Sequence, residues 1–288
     1  MKPAPFAYHR AADATDALAV MAGASDAAFL SGGQSLAPML NLRMARPALL
    51  IDLNDCAELS GVTLGDGGLR IGALTRHHHL ATDATVRSRH PLLAEAAATI
   101  GSDAIRRRGT LGGSLAHADP AAQLPLIATL CGAVIALQSA RGARMIEADD
   151  FFVSALETAR EPNELVVAAT FPDLAPATGW GLAQLCKVAG DFAVASAAAT
   201  LALDGAGAIV DARLAVGAVC DRPMALDAAG LRGARPGPDV FEDFAMAAVG
   251  ALDIADAPGI DADDRRDLAA AMIVEAMTRA AARAGRAA

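Results

Sequence analysis

Aromatic side chains are scarce. Trp180 and Tyr8 are each the only one of their kind, beside eight Phe in 288 residues. That leaves no stacking platform for single-stranded nucleic acid. Positive charge is also short, because 24 Lys and Arg stand against 33 Asp and Glu, for a net −9 at neutral pH. Binding to nucleic acid or to an anionic membrane surface is therefore disfavoured. Cys56, Cys131, Cys186 and Cys220 lie far apart with no C-x-x-C pair. This argues against a disulfide framework and against a zinc or iron–sulfur site within the chain. An uncharged stretch of interest, residues 124–140, contains Pro125 and Gly132 and falls short of the ~20 apolar residues a bilayer needs. The opening Met-Lys-Pro-Ala-Pro-Phe lacks the apolar core of a signal peptide. These features lead us to expect a soluble, reduced, cytoplasmic protein.

Apolar residues are plentiful at 54%, much of this alanine, which suits close helix packing. Residues 13–22 read as a helix with an acidic start and Gly23 as its stop. Residues 27–31 and 49–53 read as short buried strands, and 62–64 with 69–71 as a hairpin about Gly65-Asp-Gly-Gly68. A helical pattern runs from Thr75 to Ile100, broken at His90-Pro91. Asp119-Pro120 predicts an N-cap followed by proline at the first helical position. Strands are expected at 134–137, 144–146 and 165–171. Asp173 to Gly179 is the expected boundary, followed by an antiparallel meander over 181–187, 192–203 and 209–219. The rest, from about Ala225 to Ala288, reads as helical.

Two segments stand out within this frame. Ser31-Gly-Gly-Gln-Ser-Leu-Ala-Pro38 and Thr110-Leu-Gly-Gly-Ser-Leu-Ala-His-Ala-Asp-Pro120 each carry a Gly-Gly pair and follow it with a hydroxyl and a proline. Glycine permits positive φ and close approach to a ligand, and successive N–H groups in such a loop form an anion-binding concavity. Neither segment is a G-x-G-x-x-G fingerprint, and no P-loop is present. The residues alone leave two readings open: a clamp on a diphosphate, or a pair of structural turns.

Residues 31–43 and 105–125 resemble the first and second FAD loops of the flavin subunit of molybdenum hydroxylases. This is the medium chain of the aerobic carbon monoxide dehydrogenase and xanthine dehydrogenase group. Lys187-Val-Ala-Gly-Asp-Phe-Ala193 is similar to the family's third block, and the likeness runs from about Phe6 into the C-terminal helices. The resemblance implies an α+β protein. Its FAD-binding domain of the PCMH/VAO type would span 1–175, with subdomains at about 1–56 and 57–175. A smaller α+β domain of antiparallel sheet and helices would span 176–288.

Carried over, Phe29, Leu30, Ser31, Gly32, Gly33, Gln34, Ser35 and Leu36 would wrap the FAD diphosphate from one side. Thr110, Leu111, Gly112, Gly113 and Ser114 would wrap it from the other. Ile100 would lie near the cofactor, and Leu165 and Val166 beside the isoalloxazine ring. Asp119 and Gln123 would reach the ribityl or ribose part, and Lys187 would lie near the flavin or pair with Asp191. Gln123 and Lys187 depart from the acid and the arginine common in the family, which trades a carboxylate for an amide and a planar fork for a point charge.

The resemblance further implies electron transfer, with no substrate-level catalytic residue in this chain. A large molybdopterin-binding subunit would oxidise the substrate, and a small [2Fe–2S] subunit would pass electrons to the FAD here. An acceptor such as quinone, O₂ or NAD⁺ would take them up. A stand-alone FAD oxidoreductase and a non-catalytic nucleotide-binding module are the alternatives. Smaller features stay open as well. His77-His-His79 is a solvated helix face or, less simply, a metal site. His117, also expected among the cofactor-binding residues, braces a loop or exchanges protons. Arg106 to Arg108 are a solvated corner, a counter-charge to the cofactor or a partner contact. Phe192 gates the flavin with Asp191 or belongs to the core.

Overall fold

Three larger sheets divide the chain into units, which the computed structural model describes over residues 2–285 except Asp66 and Pro258, with a two-stranded fourth sheet beside them. The first unit runs β1 (Ala7–Arg10), α1 (Ala14–Gly23), β2 (Ala27–Leu30), α2 (Leu36–Asn41), β3 (Leu49–Asp52). Its strands form a parallel sheet in the order β1-β3-β2. The Asp13 side chain accepts the Asp16 N–H and caps α1, which buries Ala14, Ala17, Leu18 and Met21 along one stripe. Strand β1 was not expected, because three of its four residues are exposed and it carries no alternation to read.

The second unit begins with the hairpin β4 (Val62–Gly65) and β5 (Gly68–Gly72), whose turn residue Asp66 lies outside the described residues. Short helices follow: α3 (His77–Thr82), α4 (Ala84–Arg89), α5 (Pro91–Thr99), α6 (Asp103–Arg106), α7 (Leu111–His117) and α8 (Gln123–Cys131). Asp83 adds a break that the helical pattern hides, since its carboxylate accepts the N–H groups of Thr85 and Val86 and starts α4 afresh. The unit continues through β6 (Val134–Ser139), β7 (Gly142–Glu147), α9 (Ala148–Phe151), β8 (Phe152–Ser154), β9 (Glu157–Thr158) and β10 (Leu165–Phe171). Five of its strands pair antiparallel in the order β4-β5-β10-β6-β7. Helix α8 is buried at every position and forms the centre of the largest core.

Two helix starts differ from the sequence reading. Asp119 does not begin α8; its carboxylate accepts the Ala121 N–H in a local turn, and the helix starts at Gln123. Pro125 then falls in the first turn, where a missing N–H costs nothing. The second Gly-Gly pair is likewise no loop. Thr110 accepts the Gly113 N–H and caps α7, so both glycines lie in the first helical turn.

The third unit is the antiparallel meander β11 (Gly179–Cys186), β12 (Ala193–Leu203), β13 (Ile209–Gly217) and β14 (Met224–Leu226), covered by α10 (Pro238–Gly250) and α11 (Ala262–Arg283). The expected helical region therefore opens with a fourth strand, and residues 286–288 lie outside the described residues. Strand β12 is rich in small residues, six of its eleven being alanine, because its middle is buried on both faces. Ala197 and Ala199 face the core with α11, and Ala198 faces that of the second unit. A Cβ on Gly179 or Gly181 would overlap the carbonyl of Ala280 or Ala276, so α11 rests directly on the β11 backbone. Arg283 joins the second and third units by pairing with Glu95 at 2.8 Å and lying 4.9 Å over the Trp180 ring. Among the described residues no helix is long and apolar enough to cross a membrane.

Candidate functional site

A cleft of about 620 Å³ opens where the three units meet. Its wall collects the end of β2 and the turn after it, the α3 and α7 starts, residues 160–166 before and in β10, and the turn 190–192 of the third unit. Seventeen of the twenty residues expected from the sequence line it; Leu30, Leu111 and Lys187 do not. Leu111 is fully buried in the core behind the wall, and Leu30 stands 3.4 Å from where a Gly33 Cβ would be. Lys187 is exposed, and the Asp191 carboxylate accepts the N–H of Phe192 instead of meeting a lysine.

The two glycine segments touch. Ser31 and Thr110 share a hydroxyl hydrogen bond of 3.1 Å across 79 residues of sequence. A Cβ on Gly32 would overlap the Arg108 carbonyl, and one on Gly112 would overlap Ala73. Asn54 and Arg76 fasten the junction from behind. Asn54 Nδ2 donates to the Ser31 carbonyl at 2.9 Å, while Arg76 donates to Asn54 Oδ1 at 2.6 Å and to the Arg108 carbonyl at 2.5 Å. Neither residue was legible as a site residue, since each acts only through groups distant in sequence.

The segments are not equivalent, which corrects the symmetric clamp suggested by the sequence. In the second, every early N–H is already used. Leu111 donates to Thr75 O, Gly112 to Ala73 O, Gly113 to Thr110 Oγ1 and Ser114 to Thr110 O. In the first, the N–H groups of Gly32, Gly33, Gln34 and Ser35 meet no protein acceptor among the described residues, and Gly33 has φ +70°. Consecutive free N–H groups around a left-handed residue form an anion nest. The first segment thus offers backbone donors, and the second offers hydroxyls on a rigid floor.

His77 is not on a solvated face. It is 6% exposed, lines the cleft, and its Nε2–H donates to the Thr110 carbonyl at 2.9 Å. Burial, with Arg76 and Arg106 nearby, pushes its imidazole down to about 4 against the raising effect of that hydrogen bond. The unfolded chain then binds more protons between about pH 6.5 and 4, so His77 removes stability as pH falls through that window. At pH 5 the loss amounts to roughly 2 kcal/mol. Urea unfolding at pH 7 and pH 5 is expected to show a smaller drop for His77→Gln than for the unchanged chain; equal drops would remove His77 as the cause.

The three arginines divide. Arg106 donates to the Ile100 and Gly101 carbonyls at 3.0 and 2.6 Å, Arg107 pairs with Asp103, and none of Arg106 to Arg108 lines the cleft. Phe192 is 58% exposed at the cleft rim, so it is not core. Beside it Gly190, at φ +85°, lets the turn approach Gly101 so closely that a Cβ would stand 3.2 Å from the Gly101 backbone. Gln123 crosses to the third unit by donating to Gln184 Oε1 at 3.2 Å.

The glycines whose Cβ positions are filled and the nest beside them have the chemistry of an anion site. A family model described as the FAD binding domain in molybdopterin dehydrogenase matches residues 4–174, and one described as the CO dehydrogenase flavoprotein C-terminal domain matches residues 182–280. The chain is 42% identical over 217 residues to the 6-hydroxypseudooxynicotine dehydrogenase complex subunit alpha of Paenarthrobacter nicotinovorans, covering 75% of this chain and 73% of that one. It is 36% identical over 287 residues to caffeine dehydrogenase subunit beta of Pseudomonas sp. (strain CBB1), covering 98% and 97%. A solved chain of carbon monoxide dehydrogenase from Hydrogenophaga pseudoflava superposes with a TM-score of 0.95 at 35% identity, covering 99% of this chain and 100% of that one. The chain belongs to the FAD-binding medium subunits of the molybdenum hydroxylase family. It is an FAD-dependent oxidoreductase subunit.

Proposed function

We propose that this chain is the electron outlet of a molybdenum hydroxylase complex. It takes electrons from [2Fe–2S] clusters on a small partner, while a large molybdopterin-binding partner oxidises the substrate. The observation that carries the reading is the cleft where four free N–H groups face a hydroxyl-bearing helix start across the Ser31–Thr110 bond. FAD, when bound, supplies the redox chemistry: it accepts electrons and passes them to an external acceptor such as quinone, O₂ or NAD⁺.

The residues of the chain bind and orient. Gly32, Gly33, Gln34 and Ser35 would donate their N–H groups to the diphosphate, with the Ser31, Thr110 and Ser114 hydroxyls supplementing them. Thr110 would keep its place because His77 and the α7 cap hold it from two sides. Ile100, Leu165 and Val166 would supply apolar walls, and Asp119 and Gln123 polar contacts along the sugar chain. Phe192 would limit water at the rim. Cys56 and Cys131 are thiols raised by burial to about 11 and about 12, which suits packing and not cluster ligation. With its free, scattered cysteines, the chain would work in the reducing cytoplasm.

The test is reconstitution. The purified chain, given FAD, is expected to show flavin absorption near ~450 nm but no substrate-dependent bleaching until the large and small partners are added. Substrate oxidation by this chain alone would overturn the subunit reading, and a chain that stays colourless with FAD would favour a module without flavin.

A further inference from the structure

The first segment keeps its N–H groups free because its carbonyls are taken. A trans peptide unit points its C=O and N–H in opposite directions, so whatever holds the carbonyl aims the next N–H. Asn54 Nδ2 donates to the Ser31 carbonyl at 2.9 Å, Gln34 Nε2 to the Gly32 carbonyl at 3.0 Å, and the Ala37 N–H to the Gly33 carbonyl at 3.1 Å. Three successive peptides are thereby fixed, with the N–H groups of Gly32, Gly33 and Gln34 on their other edges. Two of the three tethers come from the segment itself. The one on Ser31 comes from outside it.

Asn54 cannot turn over to present its oxygen to Ser31. Its Nδ2 lies between two acceptors, the Ser31 carbonyl and one oxygen of Asp52, whose other oxygen accepts the Tyr8 hydroxyl. Its Oδ1 accepts from Arg76 at 2.6 Å. A flipped amide would set oxygen against oxygen on one side and N–H against guanidinium on the other. Neither Asn54 nor Arg76 lines the cleft, although Gly32 does. Burial and the neighbouring Arg108 press the Arg76 guanidinium below its ordinary range, and Asp52 opposes them. A cation is therefore kept, at a desolvation cost, directly behind the segment.

We propose that Arg76 and Asn54 are positioning residues for the FAD diphosphate: an amide relay that turns the Gly32 N–H into the cleft and lends it positive charge. The inference rests on the FAD reading above. The chain of bonds runs from the Arg76 guanidinium to Asn54 Oδ1, from Asn54 Nδ2 to the Ser31 carbonyl, and through that peptide to the Gly32 N–H. Each link polarises the next in a low-dielectric interior, so the last donor is stronger than an isolated amide. The relay carries the influence of the Arg76 charge to the phosphates without setting its side chain against them.

The experiment titrates the FAD-free chain with FAD and, separately, with ADP, which carries the diphosphate but no flavin ring. The unchanged chain is compared with Arg76→Gln, Arg76→Lys, Asn54→Ala and the Arg76→Gln, Asn54→Ala double variant, and thermal unfolding of each without ligand runs beside it. Arg76→Gln is expected to raise both Kd values by the same factor, about 10-fold. Arg76→Lys, which keeps a charge on Asn54 Oδ1 but gives up the Arg108 carbonyl, should recover most of that affinity while melting as low as Arg76→Gln. In the Asn54→Ala background, Arg76→Gln should change either Kd less than about 2-fold, since the chain of bonds is already cut. Equal losses in Arg76→Gln and Arg76→Lys, additive effects of Arg76 and Asn54, or unchanged Kd values with only a lower melting temperature would each overturn the proposal, leaving two residues that merely brace the fold. An unchanged chain that binds neither FAD nor ADP would instead sink the flavin reading.

Discussion

Gly32→Val is expected to purify colourless and to remain so in excess FAD. Its Cβ would occupy the position of the Arg108 carbonyl, a backbone group held in place by Arg76. The clash cannot be relieved by turning a side chain, so the first segment must move off the second. That motion breaks the Ser31–Thr110 bond and rotates the free N–H groups of Gly32 to Ser35 out of their common concavity. Each hydrogen bond to a charged acceptor contributes about 1.5–3 kcal/mol, so losing two costs at least about 100-fold in affinity. Gly113→Ala makes a milder control, since its Cβ would meet only the Thr110 and Ser31 hydroxyls at 2.7 and 2.9 Å. Full flavin content in purified Gly32→Val would exclude the nest as the diphosphate site.

The second large effect is at a residue that does not line the cleft. Gly181→Val should unfold the third unit at markedly lower temperature, because a Cβ there would overlap the Ala276 carbonyl in the middle of α11. The helix can only lift away from β11, which opens the core holding Ile273, Ala276, Met277 and Ala280. Overpacking costs about 1–3 kcal/mol in an ordinary core, and a backbone clash belongs at the upper end. For a protein of this size that is roughly 6–12 °C in Tm by calorimetry. A Tm within a degree or two of the unchanged protein would mean that α11 slides on the sheet without loss.

The sequence made some of this legible and hid the rest for identifiable reasons. The helix with its acidic start at Asp13, the first glycine turn and the meander are local signals, and they appear where local rules place them. The helical state of Leu111–His117 was hidden because glycine is a poor helix former, while the Thr110 cap and burial of Leu111 and Leu115 override that preference. Which N–H groups are free could not be read at all. The acceptors that use up those of Leu111 and Gly112 are the carbonyls of Thr75 and Ala73, more than thirty residues away. His77 looked solvated because its neighbours His78 and His79 both pair with surface carboxylates.

The seam between the second and third units is made of unlike fastenings. At Gln123–Gln184 both partners are amides, so that bond neither takes up a proton nor is screened by added salt. At Arg283–Glu95 the partners are ions with side chains about one-third exposed, and salt weakens them. Raising ionic strength therefore slackens one stitch and spares the other, while the burial of Leu182, Ala198 and Ala215 in the second unit's core holds the third unit where it is.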